Sequence, residues 1–351
     1  MTQLTRQLQT VRTAIIGYGT SGQMLHQPLI NANEHFELVA VATNQSSQSL
    51  NLPQGCKQRS VVDILNDNDI ELVVIATPNN CHYSIAKQAL EASKHIIVEK
   101  PLALSSAQIE ELVSIANQRN CVMTTFHNRL WDCDYLAIKE LLNENRLGTI
   151  HSYAARVDRF WPSVQVNWRD NPQYGGALWE LAPNLIVQAL TLFGKPRSIF
   201  AEISTLRPSA EAPDNFYLRL SYNKLKVELR SSSLVKHSGP RFVIHGDSGS
   251  YIKQGTDPQH KQLKNGLSPN DKKYGIESIG DWGSLYTDTK DKNEETLYPS
   301  PKGCYLEFYN LMFEALRHQG PLPVSHEMSL EVVKIIEAAN CSNSQKKVIN
   351  L

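Results

Sequence analysis

VRTAIIGYGTSGQMLHQPLI, residues 11–30, opens on an apolar run, turns at Gly17, Gly19 and Gly22, and continues with helical spacing. That succession of strand, glycine turn and helix is the order a dinucleotide-binding fold requires. Gly17 permits the tight turn, Gly19 lets the backbone approach a pyrophosphate, Gly22 allows close packing, and the helix N-terminus presents its positive dipole end. A G-x-G-x-x-G triplet is often only a turn, so the flanking pattern has to decide. It does: FELVAVAT (36–43), IELVVIATP (70–78), HIIVEKP (95–101) and CVMTTF (121–126) are short apolar runs separated by helical stretches. Runs of this kind suit strands buried on both faces of a parallel sheet. Residues 1–127 are therefore expected to form an α/β Rossmann domain that takes shape from residue 9.

Ligands of such sheets lie beyond the carboxyl ends of the strands. There the sequence puts Gly17, Tyr18, Gly19, Thr20, Ser21 and Gly22, then Thr43 and Asn44, then Thr77, Pro78 and Asn79, and finally Glu99, Lys100 and Pro101. An acidic residue after the second strand would bind a ribose 2′-OH and repel a 2′-phosphate. TNQSS (43–47) offers neither a carboxylate nor an adjoining arginine, so NAD and NADP both stay open, with a lean to NADP. Lys100 is the informative charge of this half. A lysine at a strand end beside a nucleotide site, kept extended by Pro101, is placed for chemistry rather than for solvation.

After Asn128 the pattern changes. A helix over about residues 135–145 gives way to IHSYAARVDRF, SIFAEISTL, FYLRLSYN, LKVELRSSSLV and RFVIHGD, which alternate with period two. With the tight YNKL link, these predict that residues 128–351 form an α+β domain with a largely antiparallel open sheet. Helices can cover one face; the other is left for a second copy, as a homodimer or homotetramer. GDSGS (246–250) resembles a serine-protease nucleophile loop, yet it joins RFVIH to YIKQG as a hairpin turn would and lacks the His and Asp context. NWRDNPQYGGALWELAP (167–183), rich in Trp, Arg, Tyr and paired glycines, suits the lining of a cleft. Trp168 and Arg169 are its candidate substrate contacts, and specificity is expected in the loop 160–174. The helix that follows is expected to begin near Glu180, with Pro183 in the opening turn where its missing N–H is harmless. Glu180, Asn184 and Val187 would then share one face.

Across 351 residues, 35 basic side chains balance 35 acidic ones and 41% are hydrophobic, as expected for a two-domain globular protein with a large core. Zero net charge without like-charge runs argues against nucleic acid or anionic lipid as partner. No segment is expected to supply the roughly 18 apolar residues that span a bilayer, and the polar MTQLTRQLQT start does not read as a signal peptide. The six cysteines are far apart, which predicts reduced, mostly buried thiols in a cytoplasmic protein. His82, His127 and His151 lack ligand spacing, so no metal is expected.

AIIGYGTSG, ATPNNCH (76–82), HIIVEKPLA (95–103), HNRLWD (127–132) and GGALWELAPNLIVQALTLFGKP (175–196) together resemble the glucose-fructose oxidoreductase and inositol dehydrogenase family, Gfo/Idh/MocA, over nearly the whole chain. The resemblance implies an NAD(P)-dependent oxidoreductase acting on the hydroxyl or carbonyl carbon of a sugar, polyol or related small molecule. It adds His82, Asn128 and Arg129 to the cofactor-binding candidates. In this family the E-K-P lysine, here Lys100, and the histidine of D-x-G-x-H-x-x-D lie at the reacting carbon. The second motif departs at every fixed position: Glu180 for Asp, Ala182 for Gly, Asn184 for His and Val187 for Asp. An amide hydrogen-bonds but does not exchange a proton near neutral pH. The expectation is therefore an enzyme in which Lys100 handles the alcohol proton, Asn184 orients the substrate oxygen and Glu180 tunes them. The alternative is a weak or inactive relative that binds nucleotide and sugar as a sensor.

Overall fold

In the computed structural model residues 10–46, 50–164, 167–289 and 292–351 are described. The chain divides into two compact units. The first is built from the chain up to Asn128 together with 259–274 and 304–330; the second takes 129–258, 275–303 and 331–351.

The sheet of the first unit contains β1 (Val11–Ile16), β2 (Phe36–Ala42), β3 (Lys57–Gln58), β4 (Leu72–Ile75), β5 (His95–Glu99) and β6 (Met123–Phe126), in the order 3-2-1-4-5-6. Every neighbouring pair is parallel. This is the doubly wound order of a Rossmann domain, whose switch point falls beside β1. Leu72, Val73, Val74, Ile75, Ile96, Ile97 and Val98 are wholly buried, which is why these strands read as unbroken apolar runs.

This unit also takes in a late part of the chain. The helix Leu306–Arg317 brings Phe308 to within 4.8 Å of Phe126 and Tyr309 to within 5.4 Å of Phe36, ring centre to ring centre and edge-on. Thr125 and Ser329 share a 2.8 Å hydroxyl hydrogen bond, and the His326 ring meets the Met123 carbonyl at 2.9 Å. The sheet buries aromatic surface that its own crossover helices do not cover, and a late segment supplies the cover.

In the second unit β7 (Ile150–Arg156), β8 (Ser198–Ser204), β9 (Asn215–Ser221), β10 (Lys226–Ser232), β11 (Phe242–Gly246), β12 (Gly249–Lys253), β13 (Gly283–Thr289), β14 (Lys292–Tyr298) and β15 (Ile349–Asn350) form one sheet, in the order 14-13-12-11-7-10-9-8-15. All pairs are antiparallel except the central β7 and β10. The Tyr222–Leu225 link closes β9 onto β10 with a 3.1 Å backbone hydrogen bond, as YNKL predicts. GDSGS is the β11–β12 turn; a Cβ on Gly246 would sit 1.9 Å from the Leu147 carbonyl oxygen, so that glycine answers to packing.

The helix Gly176–Phe193 packs on β9 and β10, over a face whose Tyr153, Ile199, Leu218, Leu220, Val227 and Leu229 are wholly buried. Against expectation, this helix is long and apolar enough to cross a membrane, but 72% of it is buried inside the folded chain, as befits a core helix. Of the cysteine expectation, free thiols are met and burial is not. All six are free thiols, and Cys133 alone is buried.

Candidate active site

Three different constraints act on the glycines that follow β1. Gly17 has φ +94°, and a Cβ there would lie 2.5 Å from the Ala76 carbonyl group; on Gly22 it would lie 2.5 Å from the Gly17 oxygen. Gly19 has nothing within 4 Å of its absent Cβ. Two glycines thus close the turn, while the third leaves a bare backbone facing open space, the shape a pyrophosphate needs. Next to this cradle the Thr77 hydroxyl oxygen is buried without a hydrogen-bond partner. The cradle and the idle hydroxyl fit a dinucleotide.

At the end of β2, where a ribose-binding acid is absent, glutamines take over. Gln58 Nε2 donates to the Thr43 and Gln45 carbonyls at 3.0 Å each, and Gln45 Nε2 donates to the Tyr18 carbonyl at 2.8 Å. Asn44 is exposed beside them. Arg59 turns away, 2.5 Å from Asp67. None of these glutamines was singled out by the sequence, because their partners are backbone carbonyls brought together only by the fold. Ser47 lies outside the described residues.

Glu99 and Lys100 end β5. Glu99 is 8% exposed; its carboxylate accepts from the Ser21 hydroxyl, and His26 Nε2 stands 3.5 Å away. Burial opposes this charge, but His26, Lys100 and Ser21 outweigh it and hold the carboxyl at about 2. Behind it, His26 Nδ1 meets the Tyr309 hydroxyl at 2.7 Å. His26 and Tyr309 were not foreseen, being 283 positions apart in the chain. Lys100 is half-buried, its N–H donating to Glu99 Oε2 at 3.2 Å. Its charge is felt by both neighbouring imidazoles. Burial, then Lys100, pulls His127 down to about 3; burial chiefly, with Lys100 adding, lowers His82.

Two candidates have side chains enclosed by the chain itself. The His82 ring is enclosed, with Nδ1 2.7 Å from the Pro101 carbonyl and Nε2 2.9 Å from that of Thr77. A neutral imidazole carries one N–H, so the ring donates to one of these carbonyls and stands beside the other, between the E-K-P turn and the T-P-N turn. Tyr18 is 1% exposed with its hydroxyl on Gln27, which leaves only its backbone to a ligand. Thr20 is exposed, Pro78 half-buried, and Asn79 and Asn128 are buried.

Because folded Glu99 titrates near 2 against an ordinary 4.5, its contribution is present above about pH 4.5 and is lost as the pH falls toward 2. Glu99→Gln is expected to destabilise the protein at neutral pH by on the order of 3 kcal/mol and to flatten the acid limb of stability in that window. Urea unfolding of both forms at pH 3, 4 and 7 measures this; parallel curves would remove Glu99 from the account.

In the second unit the helix Gly176–Phe193 starts four residues before the expected Glu180, and Pro183 lies in its interior. The paired glycines set the start. A Cβ on Gly175 would meet the Arg169 carbonyl at 2.4 Å, Gly176 has φ +78°, and the Ala177 N–H donates to Pro213 at 2.6 Å. Pro183 therefore leaves the Trp179 carbonyl without its usual donor. Along the expected face burial deepens. Glu180 is 20% exposed and pairs with Arg159 at 3.1 Å and Arg169 at 3.9 Å; Asn184 is 8% exposed, its Oδ1 unpartnered; Val187 is wholly buried. One turn further, Gln188 Nε2 donates to the Arg129 carbonyl at 2.8 Å, while Arg129 itself pairs with Asp132 at 3.2 Å.

Arg169 lies over the Trp168 ring at 4.5 Å. Trp168, Asp170 and Tyr174 help line a cavity of about 560 Å³ in the expected specificity loop. Arg207 holds that loop, at 2.6 Å from Asp170 and 2.9 Å from Asp214. Burial works against its charge, but the two carboxylates raise its pKa. Among the described residues no group of three or more His, Cys, Asp or Glu is gathered as a metal would need.

The model of an oxidoreductase family with an NAD-binding Rossmann fold, Gfo/Idh/MocA, matches residues 11–127, and that of its C-terminal alpha/beta domain matches 139–351. The chain belongs to the Gfo/Idh/MocA family. Like other members of the family it is an NAD(P)-dependent oxidoreductase. It is 35% identical over 349 residues to scyllo-inositol 2-dehydrogenase (NADP(+)) IolW of Bacillus subtilis (strain 168), covering 99% of this chain and 97% of that one. The oxidoreductase YdgJ of Escherichia coli (strain K12) is 36% identical over 93% of this chain and 94% of its own. The solved structure of the oxidoreductase yvaA from Bacillus subtilis superposes with TM-score 0.94 at 34% identity, over 97% of this chain and 98% of that one.

Proposed function

We propose that this family member interconverts a secondary alcohol and a ketone on a sugar or polyol ring, with NADP(H) preferred over NAD(H). The observation that carries the reading is the E-K-P turn, which anchors Lys100 beside a glycine cradle through buried Glu99. The preference for NADP rests on the missing acid after β2 and on similarity to a relative whose name specifies NADP(+). The nicotinamide, when bound, supplies or accepts the hydride. Lys100 takes the hydroxyl proton in oxidation and returns it in reduction. Asn184, buried with an unpartnered oxygen, hydrogen-bonds the substrate, and Arg159 and Arg169 pair with Glu180 at the open end of its helix. Asn128 and Arg129 support the cofactor, Trp168 and Arg169 the substrate. Two copies pair through the open face of the second sheet.

Nicotinamide absorbance with a panel of inositols, cyclic sugars and their keto forms tests the reaction. Calorimetry on Gly19→Val tests the cradle. The space around Gly19 predicts an unchanged melting temperature and NADPH affinity at least about tenfold weaker, because a valine occupies the pyrophosphate position. A folded variant with native affinity would remove the site. A second reading, a nucleotide- and sugar-binding sensor, draws on Asn184 standing where a proton-exchanging histidine is usual. Tight NADPH binding with no turnover across the panel would select it.

A further inference from the structure

On the face of the second sheet turned away from the helix Gly176–Phe193, Arg156 of β7 lies directly beside Arg230 of β10, which in turn lies beside Tyr217 of β9. Like charges paired across strands repel, so such a pair is ordinarily relieved by a carboxylate. Here neither guanidinium has a carboxylate within 4.0 Å among the described residues. Burial, then the neighbouring Arg230 charge, lowers the Arg156 pKa, with Asp158 opposing.

The two guanidiniums line a cavity of about 410 Å³, together with Asp158, Tyr217, His237 and Gly239. The cavity is shaped around them. A Cβ on Gly239 would lie 2.4 Å from Arg156 Nη1, so the loop runs directly against the guanidinium. Asp158 offsets part of this charge from beyond ion-pair distance, its oxygens accepting from the Ser232 N–H at 3.1 Å and the Ser238 hydroxyl at 3.3 Å. What is left is a recess with two planar donor forks, an extra ring nitrogen on His237, and one carboxylate turned to its own loop. Guanidinium forks recognise oxyanions in bidentate fashion.

We propose that this recess is a binding site for a small oxyanion, a phosphate or carboxylate group on a freely diffusing molecule, distinct from the glycine cradle. The anion relieves the repulsion between Arg156 and Arg230 and ties β7 and β10 to the loop at Gly239.

Inorganic phosphate is the probe. Calorimetry against the full-length protein, with chloride at equal ionic strength as reference, is expected to show one site with Kd on the order of 1 mM, together with a rise in melting temperature. Arg156→Gln and Arg230→Gln, each checked for a native melting temperature without phosphate, should each weaken binding at least about fivefold. Gly19→Val should leave it unchanged, because that residue belongs to the cradle. Equal effects of phosphate and chloride, or full binding in a folded Arg→Gln variant, would overturn the site. Light scattering separates the other source of an oxyanion. If the Arg→Gln variants lower the particle mass in phosphate-free buffer, the guanidiniums serve a carboxylate of a second copy, and the free-anion site is wrong.

Discussion

Lys100→Met is expected to abolish turnover while leaving NADPH affinity within a few-fold of native. General acid/base groups contribute roughly 10²–10⁴ in rate, about 3–5 kcal/mol of barrier, and in the proposed mechanism Lys100 alone carries the proton. The proposed cofactor site lies elsewhere, at the bare backbone of Gly19 and the Thr77 hydroxyl, so binding and chemistry should separate. The substitution also carries an internal control. Lys100 helps depress His82 and His127, so in the variant both imidazoles should move back toward their ordinary range, visible by NMR titration. Moved imidazoles with surviving turnover would show that the ammonium was removed and was not needed. Lost turnover with lost NADPH binding would instead make Lys100 a cofactor ligand.

What the sequence displayed of this arrangement follows the range of the interactions. The β1 turn was legible because Gly17 and Gly22 are constrained by atoms a few residues away or on the adjoining strand. The parallel strands were legible because burial on both faces leaves unbroken apolar runs. The return of Leu306–Arg317 to the first sheet was not, since Phe308 and Tyr309 look like any amphipathic helix face until Phe126 and Phe36 are placed against them. The same holds for the central parallel pair of the second sheet, which an alternating pattern cannot distinguish from an antiparallel one. Pro183 misled for a local reason: proline marks helix starts often enough to outweigh the paired glycines upstream, although here the glycines are the residues the loop presses on. In the candidate site Lys100 was visible from a three-residue motif. Glu99 was visible with it in that motif, but His26 and Tyr309 were not, because they meet Glu99 and each other only in the folded chain.

Asn184→His should raise kcat by about tenfold for any substrate the native protein already turns over, short of the full 10²–10⁴ a well-placed base supplies. Asn184 is 8% exposed with an unpartnered oxygen, so an imidazole there is desolvated, its pKa pulled below the ordinary value, and it is neutral and able to take a proton at pH 7. Two features hold the gain down. Glu180, one turn before, is already engaged by Arg159 and Arg169 and is poorly disposed to orient the ring. Val187 is wholly buried, so adding the family's second acid as Val187→Asp would bury a carboxylate without a partner, at a cost of several kcal/mol. The double variant should therefore lose stability rather than gain rate, and the single one carries the test. Its signature is a new limb in the pH profile, with alcohol oxidation rising through the imidazole pKa in the variant and lacking that limb in the native protein. A variant that binds NADPH normally yet reacts no faster, with no new limb, would mean that position 184 is remote from the proton in flight and that Lys100 carries the acid/base work without it.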